Sequence, residues 1–197
     1  MPSLSLWTAK NLLARRTGAA SETGPESWFI RDPLPAEHLW SVPAPMVTLD
    51  APAPDFEALT TQGQRLRLSA LRGRPVVLFF FPAAFTPVCT QEAKHFGEAL
   101  PQLRALGAEV VGVSTDTHQV QCDFAAATGA EYPMVGDPSA GIARGYDVVW
   151  PLLKRVQRVT FVIDARGIIR GIFHHELRVE HHVRMVVRAV QGLATAG

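Results

Sequence analysis

The feature that most constrains the fold is an unbroken apolar run from Pro75 to Phe81. A strand that is apolar on both faces needs cover on both faces, so this run predicts a central strand of an α/β sheet. A helical period follows over residues 87–106 and stops at Gly107. A second apolar strand at 108–114 and a second helix at 118–128 repeat this order, which predicts parallel pairing of the two strands.

Shorter elements surround this unit. A hairpin is expected around residues 62–64, before the central strand. After the second helix we expect an extended piece at 132–135, a short helix at 138–144, a hairpin of 158–164 with 168–173, and a last helix over 180–193. The later part of the sheet is therefore predicted to be antiparallel, which makes the whole sheet mixed.

Cys89 lies where the apolar strand passes into the first helix, with Thr86 as a suitable N-cap and Pro87 in the first turn. A thiol at a helix N-terminus faces unpaired backbone N–H groups and the positive end of the peptide dipoles. Both stabilise the thiolate, which is the nucleophilic form of cysteine. The position predicts a reactive thiol; the alternative is a small apolar residue of the core, the commoner role of cysteine in general.

The residues Pro82, Thr86 and Cys89 reproduce a Pro-x-x-x-Thr-x-x-Cys motif, and residues 45 to 191 resemble the peroxiredoxins. These form the alkyl hydroperoxide reductase and thiol-specific antioxidant family of the thioredoxin-like superfamily. Glu92 and Arg158 fit the same family pattern. The resemblance implies a thioredoxin-like α/β fold, with a central mixed β-sheet flanked by helices, which the order of the elements also predicts. We expect this domain over 45–197, after an irregular N-terminal extension at 1–44.

The resemblance implies a thiol-dependent peroxidase that reduces hydrogen peroxide and organic hydroperoxides. Cys89 would be the peroxidatic cysteine, which is oxidised to sulfenic acid. Arg158 would stabilise the thiolate and donate to a peroxide oxygen, and Glu92 would orient this arginine. Thr86 would hydrogen-bond the thiolate and the attacked oxygen, while Pro82 would shield the pocket from water.

The role of the second cysteine, Cys122, stays open. In peroxiredoxins with a resolving cysteine, this thiol lies five residues after the first, in the following helix, or in a C-terminal tail. Lys94 occupies the first of these positions, and no cysteine follows Cys122. Cys122 lies two residues before Phe124, whereas related enzymes place the helix-borne thiol just after that aromatic residue. It is either a resolving thiol or an incidental cysteine in a one-cysteine enzyme.

The implied peroxidase chemistry needs no cofactor and no metal. The paired histidines at 174–175 and 181–182 lack a cysteine or carboxylate at ligand spacing, so we expect a solvated strand end and helix start there. Thioredoxin, a glutaredoxin or a low-molecular-weight thiol would serve as reductant, and the resemblance also implies a homodimer. The net charge of +1 gives no support for nucleic-acid binding, and no apolar run reaches the roughly 20 residues that span a bilayer.

The location of the protein is predicted from its cysteines and its first residues. Two cysteines in 197 residues favour a reducing compartment, which predicts a cytoplasmic protein. The alternative is an organelle, because Lys10, Arg15 and Arg16 precede the first acidic residue, Glu22, as in a transit peptide. Three of the four tryptophans lie before residue 45, so we expect the extension to dock on its own core or on a partner subunit.

Two other functions fit the same residues. One is a peroxide-sensing redox switch or thiol-regulated chaperone, in which oxidation of Cys89 changes assembly or partner binding. The other is an interaction module of the same fold with a dead site, which a buried and slowly alkylated Cys89 would favour.

Overall fold

The computed structural model describes residues 47–150, 155–174 and 178–195. Its strands are β1 Glu57–Leu59, β2 Arg65–Arg67, β3 Val76–Phe80, β4 Glu109–Ser114, β5 Met134–Gly136, β6 Val159–Ile163 and β7 Ile169–His174. Its helices are α1 Pro87–Ala105, α2 His118–Thr128, α3 Gly141–Gly145 and α4 Val179–Thr195, with a short 3-10 helix at Leu68–Leu71. The predicted extension at 1–44 lies outside the described residues, so its docking and its possible transit role stay predictions.

Five strands form one mixed sheet in the order β5-β4-β3-β6-β7. β3 is parallel to β4 and antiparallel to β6, while β7 is antiparallel to β6. The predicted central strand is confirmed, since all five residues of β3 are buried between two neighbouring strands. The hairpin of β1 and β2 forms a separate two-stranded sheet.

Alternate residues of β3 supply the cores on the two faces of the sheet. Val77 and Phe79 belong to a core that includes residues of α1, α2 and α4. Leu78 and Phe80 belong to a second core, which includes residues of β2, α3 and the 3-10 helix. Cover on both faces is the physical reason why this strand is apolar throughout.

Helix boundaries follow local sequence signals. Gly107 ends the first helical segment and Gly129 caps α2, both with a positive φ that glycine adopts without strain. α2 begins after Thr117, whose Oγ1 accepts from the backbone N–H of Val120 at 3.4 Å. α3 begins three residues later than predicted, and the preceding carboxylate of Asp137 accepts from the N–H groups of Gly141 and Ala143 at 2.8 and 3.0 Å.

Candidate active site

Cys89 lies in the first turn of α1, directly beyond the carboxyl end of β3. Residues 82–86 form the loop between the two elements, which we call the 82–86 loop. Thr86 occupies the N-cap position with extended backbone, and Pro87 is the first helical residue, as the sequence predicted. The end of β3 and the first turn of α1 together therefore fix the position of the Cys89 thiol.

A guanidinium group reaches Cys89 from the start of the strand that neighbours β3. Arg158 lies just before β6, the strand that pairs with β3, and its Nη2 donates to Cys89 Sγ at 3.2 Å. Its Nη1 donates to Glu92, so one side chain contacts both groups. Glu92 lies three residues after Cys89 in α1, which puts the two on one face of the helix. The structure brings together three of the predicted site residues.

This cluster is withdrawn from solvent. Cys89 is 2% exposed, Arg158 4% and Glu92 0%. Burial alone lowers the pKa of Arg158, but the charge of Glu92 and the hydrogen bond to Cys89 outweigh it and raise that pKa above its usual value. The guanidinium therefore stays charged, and it places a permanent cation beside the sulfur.

The two remaining motif residues lie in the 82–86 loop. Pro82 and Thr86 are both half-buried. The Thr86 hydroxyl donates to the carbonyl oxygen of Ala83 at 3.2 Å, and it does not cap the helix. The predicted bond between this hydroxyl and the thiolate is not among those formed in the described residues, so Thr86 must rotate to make it.

Comparison with known proteins decides the family. The sequence model of the AhpC/TSA family matches residues 49–172. The chain belongs to this family, the peroxiredoxins. A putative peroxiredoxin of Mycobacterium tuberculosis is 35% identical over 143 residues, 71% of this chain and 93% of that protein. A mitochondrial thioredoxin-dependent peroxide reductase of Drosophila melanogaster is 33% identical over 161 residues, 77% of this chain and 69% of that protein.

Solved structures agree with this assignment. A peroxidoxin of Mycobacterium tuberculosis superposes with a TM-score of 0.70 and 33% identity, over 75% of this chain and 98% of that chain. The bacterioferritin comigratory protein of Xanthomonas campestris, described for its alkyl peroxide reduction activity, gives 0.66 and 26%, over 71% and 92%. The predicted thioredoxin-like fold with its central mixed sheet is confirmed.

The second cysteine of this peroxiredoxin lies in α2 and is half-buried, and both cysteines are free thiols. Cys122 Sγ lies 3.5 Å from Nε2 of His118, one turn earlier in the same helix. Phe124, two residues later, packs edge-on against Phe85 of the 82–86 loop with ring centroids 5.3 Å apart. α2 therefore contacts the 82–86 loop, but Cys122 lies on a different side of the helix from Phe124.

The sequence missed two parts of the site. Phe85 has a φ of +62° although it is not glycine, and its side chain is 55% exposed. The backbone N–H of Ala84 donates to Asp116 Oδ2 at 2.7 Å, which ties the loop to the turn after β4. Sequence reasoning missed the positive φ because phenylalanine, unlike glycine, does not indicate one. It missed the hydrogen bond because Asp116 is separated from Ala84 by 32 residues. The sequence signal that could have pointed to Asp116 is its position just after an apolar strand.

The prediction for the histidine pairs was partly wrong. His174 and His181 are exposed, and His175 lies outside the described residues. His182 is 2% exposed, and its Nε2 lies 2.8 Å from Thr160 Oγ1. The helical period of α4 explains the burial, because position 182 shares the apolar face with valines at 179, 183 and 186. Among the described residues, no group of three or more His, Cys, Asp or Glu could hold a metal ion.

Proposed function

We propose that this peroxiredoxin reduces hydrogen peroxide and organic hydroperoxides through Cys89. The observation that carries the proposal is the hydrogen bond of 3.2 Å from Arg158 to the sulfur, inside a buried cluster with Glu92. A buried guanidinium is costly unless its charge is used or compensated. Glu92 compensates it, and the other arm of the guanidinium donates to Cys89 Sγ, the nucleophile that the reaction needs.

The first step follows from this arrangement. The Cys89 thiolate attacks the distal oxygen of the peroxide, an S–O bond forms, and the O–O bond breaks. The attacked oxygen keeps its hydrogen, so the product is a sulfenic acid, and the alkoxide or hydroxide leaves and takes a proton from water. Arg158 stabilises the negative charge on the sulfur and then on the oxygens, while Thr86 offers a hydroxyl once it rotates.

A dead site does not explain the same residues. The burial of Cys89 by itself fits both a peroxidase and a dead site. Peroxide is small enough to reach a buried thiol, and an inert core cysteine is buried too. An inert cysteine, however, packs among apolar groups, and it gains nothing from a charged guanidinium within hydrogen-bond distance. The relatives are named as peroxiredoxins and peroxide reductases, which favours the peroxidase over a redox switch or a chaperone.

The partner that completes the cycle is a thioredoxin-type reductant. The Drosophila relative is named as thioredoxin-dependent, whereas a glutaredoxin or a small thiol is supported by the family resemblance alone. We keep thioredoxin as the first choice, and we keep the homodimer as a proposal that rests on the family resemblance. The relatives include chloroplastic and mitochondrial proteins, so the cytoplasmic location also stays a proposal. No helix in the described ranges is long and apolar enough to cross a membrane.

We propose that Cys122 resolves the sulfenic acid, and the contact with His118 supports this role. His118 Nε2 accepts the thiol proton, and the Cys122 thiolate attacks the sulfur of the oxidised Cys89. The S–S bond forms as the S–O bond breaks, and the leaving hydroxide takes the proton back from His118 to give water. A disulfide requires Cα atoms within about 7 Å, and Cys122 lies on a different side of α2 from Phe124, which packs on the 82–86 loop, so we expect α1 and α2 to unwind locally first.

The test is mass spectrometry after one equivalent of hydrogen peroxide, with a sulfenic-acid trap and a non-reducing digest. Wild type, Cys122→Ser and Cys89→Ser are compared. We expect a Cys89–Cys122 disulfide in wild type, trapped sulfenic acid on Cys89 in Cys122→Ser, and neither product in Cys89→Ser. Trapped Cys89 in both wild type and Cys122→Ser would mean a one-cysteine enzyme, and an unoxidised Cys89 would contradict the peroxidase proposal.

A further inference from the structure

A hydrogen bond ties the 82–86 loop to the turn that follows β4. The N–H of Ala84 donates to Asp116 Oδ2 at 2.7 Å. A bond from an amide to a carboxylate is stronger than one between neutral groups. Ala84 lies midway between Pro82 and Thr86, so this single contact anchors the segment that carries both motif residues.

Asp116 is itself held by a chain of polar side chains. Ser114 Oγ donates to the same carboxylate oxygen at 2.6 Å and accepts from the N–H of Asp116 at 3.2 Å. Gln121, in the second turn of α2, donates to the same Ser114 Oγ. Ser114 and Gln121 are almost fully buried, at 1% and 0% exposure. The hydrogen bonds therefore connect α2 to Asp116, and Asp116 to the loop before Cys89.

The geometry around the loop shows why it needs an anchor. Phe85, next to Ala84, holds a φ of +62°, which is unfavourable for a residue with a side chain. Its ring is largely exposed and contacts Phe124 on one edge only. On the other side, a Cβ at Gly136 would come within 2.6 Å of the carbonyl oxygen of Asp116, so the Asp116 turn has no room to shift toward β5.

We propose that Asp116 is a positioning residue for peroxide reduction, which it supports by holding the 82–86 loop in the conformation that reacts. The proposal rests on the proposed function of Cys89. The same chain of bonds couples the loop to α2. Unwinding of α2, which Cys122 needs in order to reach Cys89, breaks the bond from Gln121 to Ser114 and so loosens the anchor.

The experiment compares two reactions of the same thiol in full-length protein. Hydrogen peroxide needs the arranged pocket, whereas alkylation by iodoacetamide needs only an accessible thiolate. In Asp116→Ala we expect the second-order rate of Cys89 oxidation to fall about 10- to 100-fold, as for other small misplacements of reacting groups. The alkylation rate of Cys89 should stay the same or rise, because a loosened loop exposes a sulfur that is now 2% exposed.

Three further variants make the result decisive. Asp116→Asn keeps an oxygen that can accept from Ala84, so it should recover most of the oxidation rate. Asp123→Ala removes an exposed carboxylate from α2 that bonds only Gln119 among the described residues, and it should behave like wild type. If Asp116→Ala does not fold, Ser114→Ala, which removes the donor to Asp116, carries the same test with a smaller loss.

The outcomes separate the two proposals. Oxidation at the wild-type rate in folded Asp116→Ala overturns the positioning role and leaves the peroxidase intact. An equal fall of oxidation and alkylation also overturns it, since that pattern reflects a change in the thiol and not in the pocket. If wild-type Cys89 is not oxidised at all, the proposed function fails first, and the inference fails with it.

Discussion

The two cysteines lie in the first halves of two neighbouring helices, yet their surroundings differ. Cys89 is buried and receives a hydrogen bond from Arg158, a residue 69 positions away that lies just before β6. Cys122 is half-buried and contacts His118, four positions earlier in its own helix. Cys89 depends on a fixed cation that only the tertiary structure places beside it. Cys122 depends on a neighbour that any helix places one turn away.

This difference suits the two chemical tasks. A peroxide that arrives from solution needs a site that is ready before it binds, so the charge that stabilises the transition state must be in place. In the role proposed for it, Cys122 acts on a sulfenic acid that has already formed, and it would have to leave its position to do so. A local partner that travels with the same helix segment serves this second task.

The largest effect is expected from Arg158. Arg158→Lys keeps the positive charge but loses the planar fork that contacts Cys89 and Glu92 together. We expect the second-order rate of Cys89 oxidation to fall about 10²- to 10³-fold, as when one preorganised donor is lost. Quenched-flow with sulfenic-acid trapping measures this rate, and exposed Arg166→Lys is the matched control. A rate within threefold of wild type would show that Arg158 is not what makes Cys89 reactive.

Substitution of His118 tests the partner of the second cysteine, Cys122. In His118→Gln we expect disulfide formation after one equivalent of peroxide to slow about 100-fold, the lower range for loss of a general base. Oxidation of Cys89 should be unchanged, since no hydrogen bond within the described ranges joins His118 to Cys89. Time-resolved non-reducing digests measure the disulfide, with His181→Gln, an exposed histidine of α4, as control. If Cys89 oxidation and disulfide formation both slowed, His118 would affect both cysteines and not Cys122 alone.

A smaller effect is expected at Thr86, where the hydroxyl must turn from Ala83 toward the reacting atoms. Thr86→Val should lower the oxidation rate about tenfold or somewhat more, the cost of one lost hydrogen bond to a charged group. Thr86→Ser keeps the hydroxyl and should stay near wild type. The pair is measured in the same quenched-flow assay as Arg158→Lys. Equal rates in the valine and serine variants would exclude a role for the hydroxyl.

The smallest effect concerns pH. The pKa of Arg158 is raised above its ordinary value by the charge of Glu92 and the hydrogen bond to Cys89, so the group stays protonated in the folded protein near neutral and moderately alkaline pH. Loss of the arginine charge should therefore add no decline to the rate of Cys89 oxidation between about pH 6 and pH 10. Rates measured across this range in Cys122→Ser test this point. A fall in this rate as the pH rises across this range would contradict the prediction.

Much of the fold was predictable because its signals are local. The apolar run at 75–81 became the central strand, and glycines at 107 and 129 end their helices where the sequence placed them. The motif residues were found for the same reason, since Pro82, Thr86 and Cys89 lie within one short segment. His182 shows the limit of such reading. Its neighbours suggested a solvated helix start, whereas the apolar face of α4 carried it into the core.

By itself, the sequence determined the order of strands and helices, the helix start under Cys89, and the family to which these residues belong. Tertiary structure alone decided that Arg158 contacts the sulfur and that Asp116 accepts from the N–H of Ala84. The physical reason is range. Propensity, capping and periodicity act over a few residues, whereas a hydrogen bond between distant residues exists only after the sheet has set its strands side by side.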